Sequence, residues 1–130
     1  MVIVDSSVWI EYLRGQTHPE TVWLDRELQQ QRLGLTDLIL CEVLQGTSEA
    51  DFSRVKTALL KFHVFSHCNI DLAITAAANY RQLRRNGHTI RATLDCLIAT
   101  FCLENSHSLL HRDRDFDAFE AVLGLKVIHP

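Results

Sequence analysis

The spacing of hydrophobic positions along this chain changes period several times, and each change marks the border of a predicted strand or helix. "VIVD" at residues 2–5 is a β-branched run that closes on an acid, and "VWIEYLRG" after it has helical spacing and stops at Gly15. Ser6 or Ser7 is the expected cap of that first helix. Pro19 opens a second helical segment, "PETVWLDRELQQQ", with Val22, Trp23, Leu24 and Leu28 near one face, and "LGL" at 33–35 follows as a short strand. Thr36 then caps "DLILCEVLQG", which ends on Gly46. "DFSRVKTALLK" at 51–61 is again helical, and "FHVF" at 62–65 is a third strand. "DLAITAAANYRQLRRNG" is a long helix with Asn86 and Gly87 as its stop signal. "TLDCLIATFCLEN" is apolar on nearly every side, which predicts a buried helix with Thr93 as its N-cap. "SLLH" at 108–111 is a fourth strand, "HRDRDFDAF" leads into a short helix capped by Asp117, and "KVIH" is a fifth strand.

Short apolar strands that alternate with helices predict a parallel sheet, because parallel neighbours need crossover connections and the helices supply them. The expected fold is α/β, a three-layer α/β/α arrangement around a short five-stranded parallel sheet. Residues 1–130 are the size of a single domain. In open sheets of this kind ligand sites lie beyond the carboxyl ends of the strands, so acids placed there matter most.

Composition narrows the picture. A chain that is 47% hydrophobic and 22% charged is globular rather than disordered. Its net charge of −3 gives no overall attraction to nucleic acid or membrane, so any such partner needs a local basic patch. Ten arginines against three lysines favour planar, bidentate contacts. The opening "MVIVDSS" lacks a basic n-region and is not read as a signal peptide, and no apolar run approaches the ~20 residues of a membrane span. Four cysteines without CxxC spacing read as small core residues of a reducing compartment, and a cytoplasmic location is expected.

Four carboxylates stand out. Asp5 ends the first strand and Asp113 follows the fourth, and the two become neighbours if those strands are adjacent. Taken singly, each also reads as a helix cap after a strand. Glu42 lies inside "LILCEVL", where an ionised carboxylate needs compensation; alternatively Leu38, Glu42 and Gln45 form a half-exposed polar stripe. Asp95 stands in the first turn of the buried helix, where the helix dipole favours it. Gathered at one sheet edge these acids repel one another at neutral pH, and a divalent cation relieves the repulsion. An all-oxygen set suits Mg²⁺ or Mn²⁺, and seven scattered histidines without metal-binding spacing argue against zinc.

The ordered stretches "VDSSVWIEYL", "LTDLILCEVLQG" and "IRATLDCLIATFCLENSHSLLHRDRDFDAF" resemble the PIN-domain nucleases, and among them the VapC toxins of bacterial toxin–antitoxin pairs. The resemblance spans essentially the whole chain. It implies a metal-dependent endoribonuclease that hydrolyses RNA phosphodiesters to 5′-phosphate and 3′-hydroxyl ends. The matching acids are Asp5, Glu42, Asp95 and Asp113, around Mg²⁺ or Mn²⁺. Ser7 falls where the family often has a supporting hydroxyl, Asp115 is a further supporting candidate, and His111 replaces a frequent Ser or Thr. Proteins of this kind form homodimers and bind an antitoxin segment over the active site, so a VapB-like antitoxin is an implied partner.

Arg81, Arg84 and Arg85 lie at i, i+3 and i+4 of one helix, followed by His88 and Arg91, and form the best local basic patch for RNA phosphates. A solvated helix face accounts for them equally well one at a time. Arg112 and Arg114 flank Asp113 and either contact substrate or pair with Asp115 and Asp117. Trp9, Tyr12 and Trp23 are candidates for stacking on bases, but they sit at apolar spacing in the first two helices and read rather as core or dimer contacts. Two rivals share this fold class. A receiver-type phosphotransfer domain needs paired acids after the first strand and an acid after the third, whereas Asp5 stands alone and "FHVFSHC" supplies none. A non-catalytic binding module would be favoured by a broken acid quartet, and all four positions are filled.

Overall fold

The computed structural model of the chain describes residues 1–30, 32–66 and 68–130. In order, the elements are β1 (Val2–Val4), α1 (Ser6–Leu13), α2 (Pro19–Glu27), β2 (Leu33–Thr36), α3 (Asp37–Gln45), α4 (Phe52–Leu59), β3 (His63–Phe65), α5 (Ile70–Arg85), α6 (Thr93–Glu104), β4 (Ser108–Leu110), a 3₁₀ turn at Arg114–Phe116, α7 (Asp117–Leu123) and β5 (Lys126–Val127). Positions 31 and 67, in the "QQQ" and "FHVFSHC" stretches, lie outside the described residues.

All strand pairings are parallel and the sheet order is β3-β2-β1-β4-β5. The chain builds outward from β1 to β3 and then restarts on the other side of β1 with β4. Right-handed connections therefore place two groups of helices on opposite faces. One group is α1 packed on α2 and α3, with α3 on α4; the other is α5 packed on α6 and α7. The order also differs from the 2-1-3-4-5 arrangement of receiver domains. The predicted α/β class and its five strands are present, and β1 and β4 are neighbours in the register Val4↔Leu110.

The central strands are buried on both faces, as a covered parallel sheet requires, and Ile3, Val4, Leu35, Leu109 and Leu110 are fully buried. Helix α6 is buried along most of its length, and Phe116 and Phe119 turn fully into the core. Trp9 is a core residue at 3% exposure, in ring contact with Phe62. Cys96 and Cys102 are buried as expected, but Cys41 and Cys68 are exposed, so the core reading of the cysteines holds for half of them. Gly34 sits in β2 where a Cβ would lie 2.8 Å from the Met1 sulfur, 3.1 Å from the His63 carbonyl and 3.2 Å from the Phe65 ring, so a larger residue would crowd β3 and the Met1 side chain.

Three caps were open to other readings. Of the two offered for α1, the structure takes Asp5 and not Ser6 or Ser7: its backbone is extended and its carboxylate accepts the Ser7 N–H, while both serines are already helical. Thr93 is likewise inside α6, whose N-cap is Ala92, and the first turn is closed by Asp95 N–H donating to the Ala92 carbonyl at 3.2 Å. Asp117 is the first residue of α7 rather than its cap, because the 3₁₀ turn intervenes and Asp113 caps that turn instead. Helix α2 also ends early, with Leu28 as its C-cap and Gln29 and Gln30 in a turn.

Candidate active site

The sheet order puts the switch in direction between β1 and β4, and the acids gather there. The ladder runs one residue past β1, with Asp5 N–H donating to the Leu110 carbonyl at 2.9 Å, so Asp5 and the residues after β4 leave the sheet side by side. Asp5 is buried at 3% exposure. Its Oδ2 accepts from the Ser7 N–H at 3.0 Å and from the Ser7 hydroxyl at 2.6 Å. Ser7 Oγ in turn accepts from Arg112 N–H at 3.0 Å, which ties the β4 loop to the start of α1. The other oxygen, Asp5 Oδ1, is buried without a hydrogen-bond partner, which leaves a carboxylate lone pair unused among neighbouring acids.

Those neighbours come from three further elements. Glu42 of α3 is half-buried, and its Oε1 accepts from the Ser6 hydroxyl at 3.2 Å. Asp95 in the first turn of α6 is 6% exposed. Asp113 caps the 3₁₀ turn, with Oδ1 accepting from Asp115 N–H at 3.0 Å. Asp95, Asp113 and Asp115 each place a carboxylate oxygen within 4.8 Å of the others.

Burial and mutual repulsion act together on this group. Burial, then the charges of Asp5, Asp113, Glu42 and Asp115, push the Asp95 carboxyl up to about 8. Burial raises Asp5 as well, against the lowering effect of the Ser7 contacts. Glu42 is raised by burial and then by Asp5 and Asp113, with the Ser6 hydrogen bond opposing. These shifts tie the four predicted acids into one electrostatic unit. The donor set fits a hard divalent cation: every contributor is a carboxylate, three oxygens already converge, and Asp5 Oδ1 is buried with nothing bonded to it.

The supporting residues divide. Ser7 bonds to Asp5, and Asp115 lies among the converging carboxylates. Arg91 holds Asp115, donating from its backbone N–H to Oδ2 at 3.3 Å and from Nε to Oδ1 at 3.4 Å. Arg112 pairs with neither Asp115 nor Asp117; its Nε donates to Glu20 Oε1 of α2 at 2.8 Å. Arg81, Arg84 and Arg85 are exposed on α5 and touch no acid among the described residues. Helix α5 packs along α6, with Asn79 Nδ2 donating to Thr100 Oγ1 at 3.0 Å, so the end of α5 and the start of α6 lie at the same level.

Two contributors carried no clear signal in the sequence. Ser6 read only as a cap, yet its hydroxyl bonds Glu42 across 36 positions. His111 replaces a hydroxyl residue and supplies the acceptor by another route: its Nδ1 accepts from Asp113 N–H at 3.1 Å. A backbone N–H only donates, so the ring proton sits on Nε2, which is buried without a partner. Burial lowers the His111 pKa, against the surrounding carboxylates, and so favours this neutral ring.

Known proteins resemble this chain in both sequence and fold. The PIN domain family profile matches residues 2–122. Ribonuclease VapC11 of Mycobacterium tuberculosis is 31% identical over 131 residues, spanning 97% of this chain and 96% of that protein. A toxin-antitoxin complex from Klebsiella pneumoniae aligns with a TM-score of 0.75 at 16% identity, covering 100% of this chain and 98% of the other. VapBC2 from Rickettsia felis, bound to a DNA fragment from its promoter, aligns with a TM-score of 0.73 at 15% identity and 98% coverage of both chains. At such identities the two structures speak for the fold alone.

Proposed function

The chain belongs to the PIN-domain family, and from that premise we propose that its acid cluster is the centre of a metal-dependent endoribonuclease, the toxin of a toxin–antitoxin pair. The observation that carries this is the convergence of Asp95, Asp113 and Asp115 within 4.8 Å beside a buried, unpartnered Asp5 oxygen. A structural cluster of acids would be neutralised by arginine or lysine; among the described residues only Asp115 has such a partner, Arg91. The ribonuclease relative, aligned over nearly its whole length, supports RNA as substrate.

Asp5, Glu42, Asp95 and Asp113 would hold a divalent cation, Mg²⁺ or Mn²⁺, with Asp115 in support. When bound, such an ion supplies Lewis-acid stabilisation of a phosphoryl oxygen and makes an attacking water more acidic. The chain's own work is to hold these oxygens still. Ser7 fixes Asp5 through two hydrogen bonds, Ser6 steadies Glu42, and His111 and the Asp115 N–H hold the Asp113 turn. Arg91 keeps Asp115 oriented and offsets part of the local charge. The carboxylates bind and orient; none has to carry a proton. Products with 5′-phosphate and 3′-hydroxyl ends are expected.

A VapB-like antitoxin is the proposed neutralising partner, and residues 1–130 are proposed to act as one domain within a homodimer. No helix among the described residues is long and apolar enough to cross a membrane. The buried, unpaired thiols of Cys96 and Cys102 suit the cytoplasm, which we take as the compartment.

The test is incubation of purified protein with structured RNAs in Mg²⁺ or Mn²⁺, with and without EDTA, beside Asp5→Asn. Cleavage is expected to disappear on chelation and to fall by at least about 100-fold in the variant, since loss of a ligand should exceed the 10–100-fold typical of outer-shell partners. Cleavage that survives EDTA, or a variant as active as wild type, refutes the mechanism.

A further inference from the structure

We infer that the cleft beside Asp115, between the connection 86–92 and the start of α7, is a subsite for single-stranded RNA, reached over the arginine ridge at the end of α5. This rests on the ribonuclease reading of the acid cluster and names the side from which substrate enters it.

The electrostatics favour such a ridge, beyond what a cation on the carboxylates would offset. Five carboxylates face the site on a chain of net charge −3, and RNA brings a negative charge with every phosphate. Attraction must come from cations within about one Debye length, ~8 Å at physiological salt. Half of the ten arginines are already engaged: Arg14 with Glu11, Arg26 with Glu27, Arg54 with Asp51, Arg91 with Asp115 and Arg112 with Glu20. Arg81, Arg84, Arg85 and Arg114 are exposed and have no ion pair among the described residues. Arg32 is also exposed, but it precedes β2 at the amino edge of the sheet, away from the acids.

The free arginines frame two neighbouring hollows. Tyr80, Arg81, Arg84 and Arg85 line one of about 440 Å³ on the last turns of α5. His88, Thr89, Ile90 and Arg114 contribute to the second, of about 340 Å³, together with the carboxylates of Asp115 and Asp117. That volume falls within the ~300–1,000 Å³ of small-molecule sites. Asp115 belongs both to this hollow and to the converging carboxylates, so a nucleotide seated there has an adjoining phosphate beside the cluster.

The lining suits an unpaired nucleotide. The exposed His88 ring and Arg114 guanidinium offer flat surfaces for a base, Thr89 offers a hydroxyl, and Ile90 gives an apolar floor. A base enters such a hollow only when unstacked, which selects loops and single strands over helical RNA. Gly87 makes the ridge and the hollow adjacent: at φ +87° it turns the chain sharply off α5, with its N–H donating to the Arg84 carbonyl at 3.0 Å.

The experiment measures binding of a fluorescein-labelled, mixed-sequence single-stranded RNA 12-mer, and of total tRNA, on an Asp5→Asn background in Mg²⁺ across a salt series. Arg84→Gln/Arg85→Gln and Arg114→Gln should each weaken binding about tenfold and reduce the salt slope by about 0.7 for each phosphate charge that is no longer neutralised. Arg32→Gln should change neither. RNA carrying 4-thiouridine should crosslink within residues 86–91. Unchanged affinity and salt slope in the ridge variants, or crosslinks confined to other segments, overturn the inference. The two readings fail separately. Wild-type cleavage with unaffected ridge variants removes the subsite and leaves the nuclease. Ridge-dependent RNA binding without any cleavage removes the nuclease and leaves the subsite.

Discussion

Asp5 is both a helix cap and a member of the acid cluster, and the two roles are compatible because a carboxylate has two oxygens. Oδ2 takes the capping bonds from Ser7, and Oδ1 remains unused. Considered alone in the sequence, the residue read as a cap, and nothing local separates a cap from a ligand that also caps. Ser7 is therefore the residue whose loss should loosen the site without unfolding it. Ser7→Ala removes the 2.6 Å bond to Asp5 and the acceptor for Arg112 N–H. It should lower Mn²⁺ affinity by about 10–100-fold, measured by calorimetric titration, while Ser7→Thr restores most of it. Wild-type Mn²⁺ affinity in Ser7→Ala would show that Asp5 needs no such support.

At the scale of elements, sequence periodicity located every strand and helix core, but the caps of α6 and α7 moved and that of α1 was one of several candidates. The reason is geometric. A cap is decided by where the backbone leaves the extended region, and a strand that ends in Asp-Ser-Ser offers three chemically suitable residues within one turn. The 3₁₀ turn after β4 was likewise unreadable, because its three residues carry no period. Glycine packing is the other feature hidden in one dimension. "LGL" reads as an ordinary strand, yet Gly34 lies against the His63 carbonyl and the Phe65 ring of β3. Gly34→Ala should cost about 1–3 kcal/mol through this crowding, read as a lower midpoint in urea. Activity per folded molecule should be unchanged, since the strain lies in the β2–β3 pair rather than at the acids. A variant as stable as wild type would show that β3 shifts freely.

For the whole molecule, the acid cluster stores instability that a cation should release. Asp5, Glu42 and Asp95 all have raised pKa values, so over that range the native state holds protons that the unfolded chain has lost. The slope of stability with pH is then negative. For Asp95 the window runs from its ordinary 3.8 to about 8. Metal-free protein should accordingly melt at a higher temperature near pH 5 than near pH 8, with the lowered pKa of half-buried His111 opposing this trend only below its ordinary 6.5. Mg²⁺ or Mn²⁺ should raise the melting temperature at pH 8 by more than at pH 5, where protons compete for the same oxygens, and EDTA should reverse the gain. Calorimetry at the two pH values, with and without the ion, measures both effects. A cation effect as large at pH 5 as at pH 8 would separate the stabilising site from these carboxylates.

The sequence by itself determined the fold class, the five strands and the buried character of α6, because each is written in local periodicity, and it marked the acids as candidates through their places at strand ends and in apolar helices. Strand order could not be read this way. Whether β1 lies beside β4 depends on how the crossovers pack, and only that adjacency brings Asp5 next to the loop carrying Asp113 and Asp115. The tertiary structure also decided which charges are free. Arg91 and Arg112 looked much like Arg84 and Arg85 in the chain, but Asp115 and Glu20 engage the first two and leave the others open. Ion pairs across 24 and 92 positions leave no trace in spacing, since through-space charge is indifferent to distance along the chain.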